Sequence, residues 1–128
     1  MSTHKVLVDS SVWIAYFKGQ QTKTLDQLLV EDLICTNELI LSELLPVLRK
    51  NNQNEIVNAL LALPIVPLNI DWQILRQIQI ENLNQGVNKV GIPDLIILQQ
   101  VIDLKIPFLS FDKHFKLMSN YFEFELLA

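Results

Sequence analysis

Hydrophobic residues along this chain follow two different spacings in turn. Short apolar runs, typical of buried strands, alternate with segments whose apolar residues recur every three or four positions, as on one face of a helix. The short runs predict strands at residues 5–8, 33–35, 65–66 and 107–110, with a weaker one within 121–126. The longer spacing predicts helices after Asp9, around 25–29, over 37–50, 54–63 and 70–83, and after Pro93. This alternation favours an α/β fold, in which a parallel sheet is covered by helices on both faces.

Glycine and proline support several of these helix boundaries. Gly19 and Gly86 follow apolar helical segments, and glycine commonly ends a helix at such a position. Pro93 suits the first turn of the helix that follows it. That helix is very apolar, so we expect it to be buried on most sides.

Length and composition indicate a single domain spanning residues 1–128. Domains typically contain about 100–150 residues, and a chain with 50% hydrophobic residues has enough apolar material for a core. No apolar run approaches the roughly 18 residues that a transmembrane helix requires, so we expect no contact with a membrane. The only cysteine, Cys35, lies in a predicted strand. A lone buried cysteine fits a reducing compartment, and we expect the protein to be cytoplasmic.

The net charge of −4 argues against binding of nucleic acid by overall charge alone. Proteins that bind in that way are usually basic, with lysine and arginine gathered on one face. If the substrate is RNA, another group must therefore hold its phosphates. A bound divalent cation is the simplest candidate, and acidic residues would have to bind it.

Four of the acidic residues lie in apolar sequence, where solvation does not account for them. Asp9 and Asp112 follow predicted strands, Asp94 begins the very apolar helix, and Glu43 lies within the helix at 37–50. An unpaired buried carboxylate costs several kcal/mol, so these residues require a partner. The carboxyl ends of parallel strands meet at one edge of the sheet, where such residues can converge on Mg²⁺ or Mn²⁺.

Competing acids and structural roles weaken this hypothesis only in part. Glu38 lies about 140° from Glu43 around a helix, and Asp103 lies about 180° from Asp94, so neither shares a face with the candidate on its own helix. Aspartate also caps helices and is favoured in their first turn, which gives Asp9, Asp94 and Asp112 an ordinary structural explanation. A capping residue can nevertheless bind a metal as well.

Four short segments resemble the acidic motifs of the PIN-domain family. Residues 6–14 (VLVDSSVWI) resemble the opening motif, and residues 42–45 (SELL) resemble the second. Residues 93–97 (PDLII) resemble the third, and residues 109–115 (LSFDKHF) resemble the fourth. Each segment alone is common, but all four occur in the order of the family across nearly the whole chain. The chain thus resembles the VapC-like toxin ribonucleases of type II toxin–antitoxin systems.

The resemblance implies a three-layer α/β/α sandwich around a parallel sheet of about four to five strands. It also implies an endoribonuclease that depends on Mg²⁺ or Mn²⁺, hydrolyses RNA phosphodiester bonds and is neutralised by a cognate antitoxin. In this sequence Asp9 and Asp94 would bind the metal directly, and Asp112 would bind it directly or through water. Glu43, the fourth catalytic candidate, would orient a water at the metal or support the direct ligands. Whether one ion or two is bound stays open.

The family further implies a hydroxyl near the metal, for which Ser10, Ser11 and Ser110 are candidates by position. Lys113 and Lys116 lie beside the fourth motif and are candidates for contact with RNA phosphates.

Three aromatic residues of the first helix, Trp13, Tyr16 and Phe17, have two alternative roles. By default they face the core, but some could line a groove that receives a helix or strand of the antitoxin. The mean hydropathy of +0.28 indicates exposed apolar area, which a homodimer or an antitoxin would cover. Both histidines, His4 and His114, are expected to be exposed.

Two other functions fit parts of the pattern. A phosphoryl-accepting receiver or a haloacid-type phosphatase also has an aspartate after its first strand, but it needs a second aspartate close by and a lysine after a late strand. Residues 9–11 (DSS) and 110–112 (SFD) do not supply them. The stronger alternative is a PIN-like module that binds RNA or protein without cleavage, and the presence of all four acids favours the enzyme over it.

Overall fold

A computed structural model of the protein describes residues 5–128. Four short strands form one parallel sheet in the order β2-β1-β3-β4. Their bounds are β1 (Val6–Val8), β2 (Ile34–Cys35), β3 (Phe108–Leu109) and β4 (Leu126–Leu127). Most of these residues are branched or aromatic and buried, as a strand covered on both faces requires. Leu7 of β1 lies between Cys35 and Phe108 of the two neighbouring strands.

Seven helices connect the strands in the part of the chain that the structure describes. They are α1 (Ser10–Phe17), α2 (Lys23–Glu31), α3 (Glu38–Lys50), α4 (Asn54–Leu61), α5 (Trp72–Asn84), α6 (Ile92–Leu104) and α7 (Lys113–Met118). Side-chain oxygens of Asn37, Asp71 and Asp112 cap the first turns of α3, α5 and α7. Gly19 and Gly86 follow α1 and α5 with φ angles of 74° and 76°, which confirms both as helix-ending glycines.

Two of the predicted strands differ from the structure. The strand at 65–66 is reduced to a single parallel bridge between Thr36 and Ile65. Residues 64 and 67 are prolines, which have no N–H to donate, so the pairing cannot extend. The last strand lies at Leu126–Leu127 rather than within 121–126.

The path of the chain across the sheet explains why helices cover both faces. Parallel crossovers are right-handed in nearly all proteins. The chain moves one way from β1 to β2 and the Ile65 bridge, and then returns past β1 to β3 and β4. The reversal places α1–α4 on one face and α5–α7 on the other, and accordingly α1 packs against α3, α3 against α4, and α5 against α6. The predicted α/β/α sandwich is confirmed, with four strands.

The structure bears on two expectations drawn from composition, one for Cys35 and one for membrane spans. Cys35 is buried in β2, and burial raises the pKa of its thiol to about 11, so it acts as a small hydrophobic residue. Among residues 5–128, none of the helices has the length and apolar character needed to cross a membrane.

Helix α6 forms the centre of the core and carries two buried amides. Residues 95–101 are all buried, which confirms that this helix is enclosed on most sides. Gln100 accepts a hydrogen bond from Asn37 Nδ2 at 2.8 Å and donates to the carbonyls of Val66 (3.3 Å) and Pro67 (3.1 Å). Gln99 binds the next part of the same connection, donating to the carbonyl of residue 69 and accepting from the N–H of residue 71. The two amides therefore anchor the connection between the Ile65 bridge and α5.

Replacing Gln100 with leucine is expected to lower the free energy of unfolding by about 2–4 kcal/mol, because it leaves the Asn37 amide and two carbonyls without their partner. Chemical denaturation measures this change. The control is Gln27→Leu, which removes an exposed hydrogen bond to Glu31 on α2 and should change stability by less than about 0.5 kcal/mol. Equal losses in the two variants would contradict the anchoring role of Gln100.

Candidate metal centre

Asp9 lies at the end of β1, in the middle of the sheet. Its N–H donates to the carbonyl of Leu109 at 2.9 Å, which continues the pairing of β1 with β3. Its side chain is buried, and Oδ2 accepts hydrogen bonds from the hydroxyls of Ser11 (2.7 Å) and Ser110 (2.8 Å). Burial raises the pKa of Asp9, and the two hydroxyls oppose this shift. Asp9 occupies the N-cap position of α1 without a side-chain capping bond, so capping does not account for it.

The same two hydroxyls hold the loop that follows β3. Ser11 Oγ accepts from the N–H of Phe111 at 3.1 Å, and Ser110 Oγ accepts from the N–H of Asp112 at 3.0 Å. Each hydroxyl thus donates to Asp9 and accepts from the loop. These bonds set the position of Asp112 relative to Asp9.

Asp112 caps α7 and also contacts a histidine. Its Oδ1 accepts from the backbone N–H of His114 at 2.8 Å and lies 3.0 Å from His114 Nδ1. The side chain of His114 is only 21% exposed, so the expectation that this histidine is exposed was wrong. His4 lies outside the described residues. The capping turn folds the chain so that the residue two positions after Asp112 lies against the capping carboxylate.

Asp94 reaches the same region from the first turn of α6. The pKa of Asp94 is raised to about 6, chiefly by burial and further by the nearby charges of Asp112 and Asp9. His114 and the N–H of Gly91 act in the opposite direction. Ionisation of Asp94 therefore costs free energy in the folded protein, and a bound cation would reduce that cost.

Glu43 approaches from α3. Partial burial raises its pKa, the charges of Asp9 and Asp94 add to the effect, and the Ser10 hydroxyl opposes it. Glu38, the first residue of α3, is exposed and does not act on these carboxylates. Glu43 is therefore the acid of α3 that lies at the cluster. Of the three candidate hydroxyls, Ser10 lies near Glu43, whereas the other two bind Asp9.

The structure thus brings the four predicted acids together from four different segments. Within the described chain, Asp94, Asp112 and His114 each offer a ligand atom that lies within 4.8 Å of the other two. Asp9 and Glu43 lie outside this group of three residues. Their carboxylates are nevertheless near enough to interact electrostatically with Asp94. Sequence reasoning missed His114, for which the only signal was its position two residues after a capping aspartate.

This set of donors fits a divalent cation. Two carboxylates about 6 Å apart repel by roughly 3 kcal/mol at an effective dielectric constant near 20, so four in one place need a counter-charge. Between residues 5 and 128, no lysine or arginine forms an ion pair with any of the four acids. Carboxylate oxygens and imidazole are both metal ligands in proteins.

A groove of about 440 Å³ lies between α1, α2 and α4. Its lining is mostly apolar and consists of Trp13, Tyr16, Phe17, Leu29, Glu55, Ile56, Ala59, Leu60 and Leu63. The three aromatic rings of α1 contact one another, with centroids 5.8–6.2 Å apart. Trp13 is buried, Tyr16 is exposed and Phe17 is intermediate, so the aromatic residues serve the core and the groove together.

Lys113 and Lys116 are exposed on α7, beside the acidic cluster. Neither forms an ion pair with another residue in the described part of the chain.

Comparison with known proteins gives the family. The family model of the PIN domain matches residues 6–120, a range that includes all four acidic motifs. The chain belongs to the PIN domain family. The resemblance drawn from the four motifs is thereby confirmed. No curated protein matches this PIN domain significantly.

Solved structures share the fold of this PIN domain. A chain in the crystal structure of DNA-bound VapBC from Salmonella typhimurium superposes with a TM-score of 0.75 at 14% identity, with 97% of both chains covered. VapBC2 from Rickettsia felis, bound to a DNA fragment from its promoter, gives a TM-score of 0.73 at 17% identity, covering 95% of this chain and 96% of that one. A toxin–antitoxin complex from Klebsiella pneumoniae gives 0.65 at 18% identity, with 97% of both chains covered. At these identities the likeness shows the fold alone.

Proposed function

We propose that this PIN domain is a metal-dependent endoribonuclease and the toxin of a toxin–antitoxin pair. The observation that carries the proposal is the gathering of Asp9, Glu43, Asp94 and Asp112 at one edge of the sheet, without a lysine or arginine partner among residues 5–128. Membership of the PIN domain family supports a nuclease. The similar structures are described as VapBC or toxin–antitoxin complexes, which supports the toxin role.

Each residue of the cluster has a separate role in the proposed hydrolysis. Asp94 and Asp112 would hold a divalent ion, Mg²⁺ or Mn²⁺, with Asp9 beside them as a further ligand. When bound, such an ion neutralises charge on the attacked phosphate and makes water a better nucleophile. Glu43, whose pKa is raised, lies at the border of the group and is suited to orient the attacking water and accept its proton. Ser11 and Ser110 keep Asp9 in place through the hydrogen bonds to Oδ2.

RNA phosphates would meet this cation and the lysines beside it rather than a basic surface. Lys113 and Lys116 lie on the helix that Asp112 caps, where they can bind phosphates flanking the cleaved bond. This arrangement agrees with a net charge of −4, because only the cation and the two lysines at this edge of the sheet would attract RNA phosphates. A module that binds RNA without cleavage would not need all four acids, and so the enzyme remains the better proposal.

Inducible expression in a bacterial host tests the proposal. The wild-type chain should arrest growth and produce discrete RNA fragments within the same period, whereas Asp112→Asn should do neither at equal protein level. Growth arrest by both chains, without RNA fragments, would contradict the nuclease and favour toxicity by another route.

We further propose that the groove beside α1 receives an apolar helix or strand of the antitoxin. Its aromatic and aliphatic lining suits an amphipathic segment. The homodimer expected from the hydropathy stays a separate prediction, supported by exposed Val30, Ile80 and Leu83 outside the groove.

Replacing Ala59 with arginine should fill this groove without disturbing the core, because Ala59 is exposed at its wall. An arginine side chain there can pair with Glu55 one turn away and would occupy the space that the antitoxin segment needs, so antitoxin affinity should fall by at least about 100-fold in titration calorimetry. Binding of a dye that recognises exposed apolar surface should fall as well. Asn58→Arg, an exposed neighbour on α4 that does not line the groove, is the matched control. Unchanged antitoxin affinity in Ala59→Arg would place the antitoxin elsewhere.

A further inference from the structure

His114 lies beside two of the four acids, Asp94 and Asp112. The N-terminal turn of α7 holds its Nδ1 3.0 Å from Asp112 Oδ1, and the side chain is largely buried against the acidic cluster. Asp94 completes the group, with no ligand atom more than 4.8 Å from another. The backbone N–H of His114 also donates to Asp112 Oδ1, so the capping turn keeps the two residues adjacent.

These separations fit the coordination of a single ion. Two ligands at right angles, each about 2.1 Å from an ion, are about 3.0 Å apart, and two ligands on opposite sides are about 4.2 Å apart. His114 Nδ1 and Asp112 Oδ1 lie 3.0 Å apart, which is a hydrogen-bond distance and also the first of these separations, so a bound ion would replace the proton that the two atoms share. The other ligand atoms of the group are at most 4.8 Å apart, so the side chains would have to move by only about 0.6 Å to reach the second separation.

We propose that His114 binds the catalytic cation through an imidazole nitrogen, beside carboxylate oxygens of Asp94 and Asp112, and that the site therefore favours first-row transition ions such as Mn²⁺ over Mg²⁺. The proposal rests on the metal-dependent function above and names the ion for it. Mg²⁺ is a hard ion that takes oxygen ligands and keeps several waters, whereas imidazole suits transition metals. A nitrogen among the ligands thus lowers the relative affinity for Mg²⁺.

Pulsed electron paramagnetic resonance with Mn²⁺ as the probe tests this directly. The protein is prepared without a histidine tag, because the sequence has only two histidines and His4 is then the one other source of imidazole nitrogen. Wild type and His4→Ala should both show ¹⁴N coupling to bound Mn²⁺. His114→Ala and His114→Asp should lose it. Circular dichroism and thermal melting of each variant establish that the fold is kept.

Metal affinities give a second readout that does not involve cleavage. Calorimetric titration should show the ratio of Mn²⁺ to Mg²⁺ affinity falling by at least about tenfold in His114→Asp, where an oxygen replaces the nitrogen. His4→Ala should keep the wild-type ratio.

The outcomes separate this inference from the proposed function. Bound Mn²⁺ without ¹⁴N coupling in the wild type would overturn the ligand role of His114 and leave the metal-dependent nuclease standing. A reduced affinity in His114→Ala without coupling in the wild type would likewise overturn it, because the histidine would then only orient Asp112. Absence of Mn²⁺ and Mg²⁺ binding in the wild type would overturn both proposals.

Discussion

Replacing Asp9 with asparagine is expected to slow RNA cleavage by about 10²- to 10³-fold, the usual effect of removing one electrostatic group from an active site. Asparagine has nearly the same shape as aspartate, and the Ser11 and Ser110 hydroxyls can rotate to suit its amide. The variant should therefore fold while losing one negative charge beside Asp94 and Glu43. Initial rates on one RNA under excess metal measure the effect.

Asp103→Asn is the matched control for this variant. Asp103 lies on α6, as Asp94 does, but its carboxylate accepts a hydrogen bond from Gln99 and lies outside the cluster. An asparagine oxygen can accept the same bond, so the control should cleave within about twofold of wild type. Comparable activity of Asp9→Asn and wild type would remove Asp9 from the proposed mechanism.

Replacing Asp94 with asparagine is expected to abolish cleavage and yet stabilise the metal-free protein. Burial and the charges of Asp112 and Asp9 together raise the pKa of this carboxyl to about 6, so ionisation of Asp94 costs free energy in the folded state. Because Asp94 is half-buried, solvent screens these interactions, and we expect a gain of about 1 kcal/mol and of about 3–6 °C in Tm. The asparagine oxygen can still accept from the N–H of Gly91, so the first turn of α6 is preserved.

The stability of the metal-free wild type should also depend on pH in a defined direction. The pKa of Asp94 rises from 3.8 to about 6 on folding, so the folded state holds more protons between these values. The free energy of unfolding should then fall as pH rises from about 4 to 6 and level off above that. Burial raises the pKa values of Asp9 and Glu43 too, which acts in the same direction.

Thermal melting of wild type and Asp94→Asn across this pH range, with chelator present, measures both effects. The variant should show a weaker pH dependence, and excess Mn²⁺ should raise the Tm of wild type more than that of the variant. A lower Tm of metal-free Asp94→Asn near pH 7 would instead indicate that the carboxylate stabilises the fold through hydrogen bonds.

The spacing of hydrophobic residues predicted most of the fold, because each buried strand or helix carries the pattern of its burial within its own sequence. The buried runs of β1 and β3 and the continuous apolar sequence of α6 form patterns that do not depend on distant residues. The pairing of Ile65 does depend on them, since the flanking prolines limit it to one bridge with Thr36. For the same reason the buried amides of Gln99 and Gln100 could not be predicted, because their partners lie about 30 to 60 residues away in sequence.

The part of the candidate site that could be predicted is the part whose position follows from the order of the strands. Asp9 and Asp112 follow adjacent parallel strands, so both lie near one edge of the sheet, and the hydrogen bonds of Ser11 and Ser110 then hold the loop that carries Asp112. His114 was not predictable, because its contact with Asp112 arises from the geometry of one capping turn. The groove beside α1 likewise forms only when α4 packs near the aromatic residues of α1.

Cleavage of a mixed pool of structured RNA by the purified chain tests the central claim most directly. Mg²⁺, Mn²⁺ and chelator are compared, with Asp9→Asn and Asp103→Asn run beside the wild type. The account predicts fragments from wild type and Asp103→Asn with metal, none with chelator, and almost none from Asp9→Asn. Fragments that persist with chelator, or that Asp9→Asn produces at the wild-type rate, would contradict a metal-dependent nuclease at this site.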